Sequence, residues 1–66
     1  MVHDANHIAL YFATFPREEA IEGVRNHIMK FWERRMKDQL LDYVAKGGTG
    51  LNELVLEAVK RMPVPA

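Results

Sequence analysis

The chain contains no cysteine, and in a chain of only 66 residues this constrains the fold more than any other feature. Disulfide bonds and thiolate metal sites, which stabilise many domains of this size, are both excluded. A core built from so few residues supplies only about 3–5 kcal/mol of net stability. We therefore expect one domain over residues 1–66, with residues 1–5 and 63–66 as frayed tails. Its stability should depend on good helix packing or on association with another chain.

The composition favours a folded protein over a disordered one and gives no sign of a membrane segment. Hydrophobic residues make up 48% of the chain, and the formal net charge is zero. A neutral chain has no overall attraction to nucleic acid or to an anionic membrane. The apolar runs are too short to span a bilayer, and no basic-then-apolar signal segment opens the chain. We expect a cytoplasmic protein with neither nucleic acid nor membrane among its partners.

A proline and a glycine-rich run divide the chain into helical segments. Pro16 ends a first helix over about 4–15 and suits the first turn of the next one. Asp4 or Asn6 is expected to cap the first helix. The run Gly47–Gly50 ends a third helix, since glycine tolerates the left-handed backbone of a helix C-terminus. Asn52 then caps a fourth helix.

The long segment between these two breakers predicts a further break. A continuous helix over 16–46 would be about 45 Å long, which exceeds the size of a compact domain of this length. We therefore expect the second helix to end, and a third to begin, between Phe31 and Met36. The predicted fold class is all-α, a small bundle of three to four short helices without a sheet.

Apolar residues recur at spacings of three and four in each helical segment, which predicts one buried stripe per helix. Gly23 interrupts the second stripe; it either permits close contact between helices or is simply tolerated. Several further apolar residues lie off the stripes (Leu10, Met29, Leu41 and Leu56, with Trp32 at the expected break), and such surplus surface favours an interface. The predicted stripes are Ile8, Tyr11, Phe12 and Phe15; then Ile21, Val24, Ile28 and Phe31; then Met36, Leu40, Tyr43 and Val44; then Leu54, Val55, Ala58, Val59 and Met62.

The side chains that usually carry catalysis are scarce, and we predict no catalytic residue. The chain has neither serine nor cysteine, so the common nucleophiles are absent. His3 and His7 have the spacing of metal ligands on a helix, but a structural zinc needs two more, so we predict no metal site. The run Gly47–Gly50 lacks the Lys-Ser/Thr pair of a phosphate-binding loop, and we predict no cofactor-binding residue.

A basic stretch around two aromatic residues leaves two other functions open. Basic residues interleaved with Phe31 and Trp32 are typical of nucleic-acid binding, so one alternative is a small nucleic-acid-binding module using the Arg25–Lys37 patch. A second alternative is a helical regulator that self-associates as a homo-oligomer. The basic residues of the patch are Arg25, Lys30, Arg34, Arg35 and Lys37.

Three segments of the chain resemble one known family. Residues 27–36, His-Ile-Met-Lys-Phe-Trp-Glu-Arg-Arg-Met, are similar to H-I-x-x-F-W-[DE]-P-R-M, a signature of the delta subunit of soluble NAD-dependent formate dehydrogenases. Residues 6–12 resemble that family's opening N-Q-I-x-x-[FY]-F, and residues 40–41 with 47–51 resemble its L-L…G-G-x-G-L element. Arg34 stands where the family usually has proline, and His7 stands where it usually has glutamine.

The resemblance implies an accessory subunit that is not itself an enzyme. The formate dehydrogenases concerned are molybdenum or tungsten enzymes of several subunits. By resemblance, this chain binds the catalytic, molybdenum-containing subunit and assists assembly or stability of the complex. No cofactor is expected in this chain; molybdopterin and NAD are expected only in partner subunits.

Trp32 is the residue that we predict to anchor the partner. It is the only tryptophan of the chain and lies at the expected helix break, inside the segment most similar to the family. The predicted interface consists of Phe31, Trp32, Arg35 and Met36, because tryptophan and arginine dominate binding energy at many interfaces. The alternative is that Trp32 belongs to the core.

Overall fold

The computed structural model describes residues 1–62, and in this part of the chain it contains four helices and no strand. The helices are α1 (Val2–Phe12), α2 (Arg17–Phe31), α3 (Arg34–Ala45) and α4 (Glu53–Lys60). The predicted all-α fold is confirmed. The tail expected over 63–66 lies outside the described residues. Within residues 1–62, no helix has the length and hydrophobicity needed to cross a bilayer.

The core is centred on α2, which packs against both α1 and α4, while α3 packs against α4. Each helix contributes at least one fully buried side chain, and those of α1 are both alanines. No buried side-chain nitrogen or oxygen in the described residues lacks a hydrogen-bond partner, so burial leaves no polar penalty. The residues with no exposed surface are Ala5 and Ala9 of α1, Val24 and Ile28 of α2, Leu40 of α3, and Val55 and Ala58 of α4.

The predicted break between Phe31 and Met36 is confirmed. Trp32 (ψ 141°) and Glu33 (ψ 155°) are both extended, so α2 stops at Phe31 and α3 starts three residues later, at Arg34. The Lys37 ammonium donates a hydrogen bond to the Met29 carbonyl at 3.2 Å, which satisfies one of the last carbonyl groups of α2. The two helices are therefore tied together across the corner.

The connection between α3 and α4 also follows the prediction. Gly47, Gly48 and Gly50 have φ angles of 121°, 63° and 83°, which side chains other than glycine rarely adopt. Asn52 caps α4 as expected, because its side-chain oxygen accepts a hydrogen bond from the Leu54 N–H at 2.9 Å.

The expected boundaries and caps of α1 are wrong. The helix begins at Val2 and ends at Phe12, and neither Asp4 nor Asn6 caps it. Residues 2–5, expected to fray, form its first turn. Asn6 instead holds the α3–α4 connection. Its side chain donates to the Gly50 carbonyl at 2.9 Å and accepts from the Asn52 N–H at 2.7 Å.

The buried face of α1 also differs from the predicted stripe. Tyr11 is 69% exposed and Phe15 is 42% exposed, whereas Ala5 and Ala9 are fully buried. Phe15 lies in the turn after α1, so the helical spacing that predicted its burial does not apply to it. The small alanines allow α1 to approach the core closely. At the end of α2, Phe31 is 64% exposed, so its predicted burial is wrong as well.

Gly23 permits a close contact between α1 and α2. A Cβ atom at this position would lie within 2.5 Å of Cε1 of the Phe12 ring, which is too close for two carbon atoms. The ring therefore rests directly on the backbone of α2. Of the two interpretations of this glycine, the structure supports the close contact.

Candidate functional site

A groove with a volume of about 580 Å³ lies between α1 and the C-terminal half of α2. We call it the α1–α2 groove. Its walls combine aromatic rings with one carboxylate and two imidazoles. The lining residues are Asp4, His7, Ile8, Tyr11 and Phe12 from α1, His27 from α2, and Trp32 from the break that follows α2.

The helical repeat explains how α1 forms one wall of the groove. Asp4, His7 and Tyr11 are separated by three and four residues, so they lie above one another along one side of the helix. The opposite wall ends at Trp32, which is half-buried and also packs against the hydrophobic core. The tryptophan is therefore shared between the core and the groove.

Aromatic rings on this side of the molecule stack on one another instead of being buried. The Tyr11 and Phe12 rings meet edge to face with centroids 4.9 Å apart, and Phe15 lies 5.6 Å from Phe12. At the other side of the groove, the His27 and Phe31 rings lie 4.9 Å apart. The groove is thus flanked by exposed aromatic side chains.

The four predicted interface residues separate into two groups. Phe31 and Trp32 are adjacent at the end of α2, and Trp32 lines the groove directly. Met36 is half-buried on α3. Arg35 is exposed and lines a different, shallow depression along α3, together with Asp38 and Asp42 among others. The structure places Trp32 in the groove and Phe31 beside it, against His27, but does not bring Arg35 there.

The basic stretch does not form one continuous basic surface. The Arg25 guanidinium donates to the Arg61 carbonyl at 2.8 Å, and Arg34 lies 3.9 Å from the Asp38 carboxylate. Lys37 holds the end of α2, as described above. Lys30 lies over the Phe31 ring, with its nitrogen 5.4 Å from the ring centroid. Because these side chains have separate partners, the arrangement weighs against the nucleic-acid alternative.

The rim of the α2–α4 contact is held by ion pairs. Arg17 contacts the Glu53 carboxylate at 2.8 Å, and Arg61 contacts the Glu18 carboxylate at 2.8 Å. The hydrogen bond and the charge of Arg61 lower the pKa of the Glu18 carboxyl below its ordinary value. The same hydrogen bond raises the pKa of Arg61. All of these groups are exposed, so their effect is on the rim and not on the core.

The histidine pair and the glycine-rich connection do not form a metal or phosphate site in the described residues. The rings of His3 and His7 lie 5.9 Å apart, and residues 1–62 contain no group of three or more His, Asp or Glu side chains placed to hold a metal ion. In the glycine-rich connection, the Leu51 N–H donates to the Gly48 carbonyl, and the N–H groups of Asn52 and Leu54 bond to asparagine side chains. These amides are therefore not available to a phosphate.

Comparison with known families supports the resemblance of the three sequence segments. The family model described as NADH-dependent formate dehydrogenase delta subunit FdsD matches residues 1–59. The chain belongs to this family. No curated protein and no solved structure matches the chain. The match covers all four helices almost completely, so the groove lies in the part of the chain that defines this delta-subunit family.

Sequence reasoning missed three polar residues of the groove and its main exposed ring. The sequence pointed to Asp4 as a helix cap, to His7 as one of two histidines at metal-ligand spacing, and to His27 as part of the family signature. Tyr11 was assigned to the core. The signal that was available is the pair of alanines, Ala5 and Ala9, whose four-residue spacing marks a buried face that turns Tyr11 outward.

Proposed function

We propose that this chain is a non-catalytic accessory subunit that binds the catalytic, molybdenum-containing subunit of a formate dehydrogenase and assists assembly or stability of the complex. The family match supports association with such an enzyme. In this proposal, molybdopterin and NAD are bound only by partner subunits. This chain contributes a binding surface.

The observation that carries the proposal is the exposed aromatic surface around the α1–α2 groove. Tyr11 and Phe31 are 69% and 64% exposed, although each side chain would gain about 1.5–3 kcal/mol from burial. Burying these rings would stabilise a chain with so small a core. They are instead exposed to solvent beside a groove. Large exposed apolar patches in small proteins commonly mark binding sites.

The proposed interface keeps two of the four predicted residues at its centre and adds Tyr11. Phe31 and Trp32 remain its centre because Trp32 lines the groove and Phe31 lies beside it against His27, and Tyr11 joins them. Arg35 and Met36 lie on α3 and would contact the partner only if the interface extends past the α2–α3 corner. Trp32 also supports the core, so its truncation would alter both folding and binding.

The experiment is retention of the purified chain on a tagged catalytic subunit of a formate dehydrogenase. We expect the wild-type chain to be retained and the variants Tyr11→Ala and Phe31→Ala to bind about thirtyfold more weakly, the effect of losing about 2 kcal/mol at an interface hot spot. Gln39→Ala, at an exposed position of α3, serves as the control and should bind normally. Circular dichroism checks that all variants keep their helices.

Other outcomes separate the alternatives. If the wild-type chain is not retained, the proposal fails. Gel filtration at low and high concentration then tests the self-associating regulator. If the chain is retained but Arg35→Ala weakens binding more than Phe31→Ala, the partner is bound through α3 and the groove is not the centre of the interface.

A further inference from the structure

We propose that the α1–α2 groove binds an arginine side chain of the partner subunit, whose guanidinium stacks on aromatic rings and pairs with Asp4. This inference rests on the proposed function, because it names the chemistry that the partner presents to the same surface. It is carried by two features of the groove that point to the same ligand class, a carboxylate and aromatic faces.

The first feature is the carboxylate of Asp4. It is the only acidic side chain among the residues that line the groove, and it forms no ion pair with any described residue. Most other carboxylates of the described chain, Glu19 and Glu33 excepted, do pair with basic residues, for example Glu18 with Arg61. An exposed negative charge at the wall of an otherwise aromatic groove complements a cation.

The second feature is the set of ring faces. Tyr11 and Trp32 line the groove, and Tyr11 contacts Phe12 edge to face, which leaves most of its own ring in solvent. The negative faces of tyrosine and tryptophan rings attract cations within about 6 Å. The chain already contains one such contact, between the Lys30 ammonium and the Phe31 ring at 5.4 Å.

The combination of a carboxylate with flat ring faces favours arginine over lysine. Asp4 and Tyr11 are seven residues apart on α1, so about 10 Å of helix separates them. A planar guanidinium between them stacks on a ring while its N–H groups donate to the carboxylate, whereas an ammonium has no flat face to stack. His7, between Asp4 and Tyr11, and His27 on the opposite wall also line the site.

Tryptophan fluorescence tests the inference on the isolated chain, because Trp32 is its only tryptophan and lines the groove. The probes are N-acetyl-arginine amide and its uncharged analogue N-acetyl-citrulline amide, used in the same buffer. We expect a saturable change with the arginine probe and at least tenfold weaker binding of the citrulline probe. Equal responses to the two probes, or no saturable response to arginine, would overturn the proposal.

Asp4→Asn and Glu19→Gln form a matched pair of variants. Both residues are exposed acids in the first turn of a helix, so both substitutions remove one charge and the same favourable interaction with a helix N-terminus. Only Asp4 lies in the groove. We expect Asp4→Asn to weaken binding of the arginine probe at least tenfold and Glu19→Gln to leave it unchanged. An unchanged affinity of Asp4→Asn would overturn the proposal.

The same pair of variants, tested on the tagged catalytic subunit, distinguishes this inference from the proposed function. We expect Asp4→Asn to raise the dissociation constant of the complex at least tenfold, with a smaller effect of salt than in the wild type. If the wild-type chain is not retained, the proposed function fails. If the wild type is retained and Asp4→Asn binds equally well, the arginine site is refuted and the proposed function stands.

Discussion

The two sides of α2 are completed in different ways. Toward α4, the helix is closed at its edge by charged side chains, with Arg17 paired to Glu53 and Glu18 paired to Arg61. Toward α1, the contact relies on small residues and on one ring placed over Gly23, and it opens into the α1–α2 groove. One side of α2 is therefore fully packed against a neighbouring helix, and the other side borders a solvent-exposed groove.

This difference shows how a chain with nearly half apolar residues divides them between folding and binding. The side chains with no exposed surface are aliphatic, whereas Tyr11, Phe15 and Phe31 remain exposed. Aliphatic residues fill the small core, and the exposed aromatic residues lie in or beside the groove. Aromatic side chains are enriched at the centres of interfaces because they bury a large area with few rotatable bonds.

The largest expected effect comes from comparing two residues that are three positions apart on α2. Ile28 is fully buried and Phe31 is 64% exposed. Ile28→Ala should cost about 2–5 kcal/mol of folding free energy, which is comparable to the whole stability of such a domain. Phe31→Ala should cost less than about 1 kcal/mol. Urea unfolding followed by circular dichroism measures both values, and equal losses would contradict the division between folding and binding residues.

A smaller loss of folding free energy is expected from the hydrogen bonds that hold α1 on the side away from the groove. Asn6→Ala removes two hydrogen bonds, one to the Gly50 carbonyl and one from the Asn52 N–H. The loss should be about 1–3 kcal/mol, because both backbone groups lose their side-chain partner. Asn26→Ala, at an exposed position of α2, is the control and should change stability by less than about 0.5 kcal/mol. Equal urea midpoints for the two variants would show that α1 does not depend on Asn6.

The sequence predicted local features of this fold better than contacts between distant segments. The start of α2 after Pro16, the break at Gly47–Gly50 and the cap at Asn52 follow from the backbone preferences of single residues, and all are present, although α1 already ends at Phe12. The bond between Asn6 and Gly50 joins residues 44 positions apart, and no local pattern contains it. Local patterns therefore predicted the elements but not the polar contact that holds them.

The groove was harder to predict than the fold for a related reason. Helix α1 has apolar residues around most of its circumference, so spacing alone does not decide which side is buried. The decision depends on the neighbour, because Gly23 of α2 accepts the Phe12 ring and the alanines of α1 fit closely against the core. Trp32 was correctly placed at a helix break, since the expected length of the second helix required one there.

The corner at the end of the groove offers a substitution that should raise stability. Arg34 is the first residue of α3, a position that favours proline, and the preceding Glu33 has the extended backbone that proline requires of its neighbour. Arg34→Pro should therefore gain about 0.5–1 kcal/mol by restricting the unfolded chain. It also removes the exposed contact with Asp38, and Arg34→Ala measures that loss separately. A lower urea midpoint for Arg34→Pro than for Arg34→Ala would mean that the corner needs the flexibility of a residue other than proline.

The smallest expected effect concerns the charged rim of the α2–α4 contact and its dependence on pH. Arg61 lowers the pKa of the Glu18 carboxyl below its ordinary value of 4.5. A lowered pKa means that the ionised form favours the folded state, so this contribution is present above about pH 4.5 and is lost as pH falls through the folded pKa.

Thermal unfolding of the wild type and of Glu18→Gln, measured between pH 7 and pH 3, tests this contribution. We expect the variant to melt slightly lower at pH 7 and the two curves to converge in acid, because protonated Glu18 and glutamine are then similar. Glu19→Gln, which loses a charge in the same first turn without losing an ion pair, should show a smaller difference at pH 7. A gap between wild type and Glu18→Gln that stays constant down to pH 3 would mean that the rim holds α2 and α4 together without help from this charge. In that case the charge of Glu18 would add nothing to the α2–α4 contact beyond the Arg17–Glu53 pair and the aliphatic core, and the contrast with the open groove would rest mainly on packing.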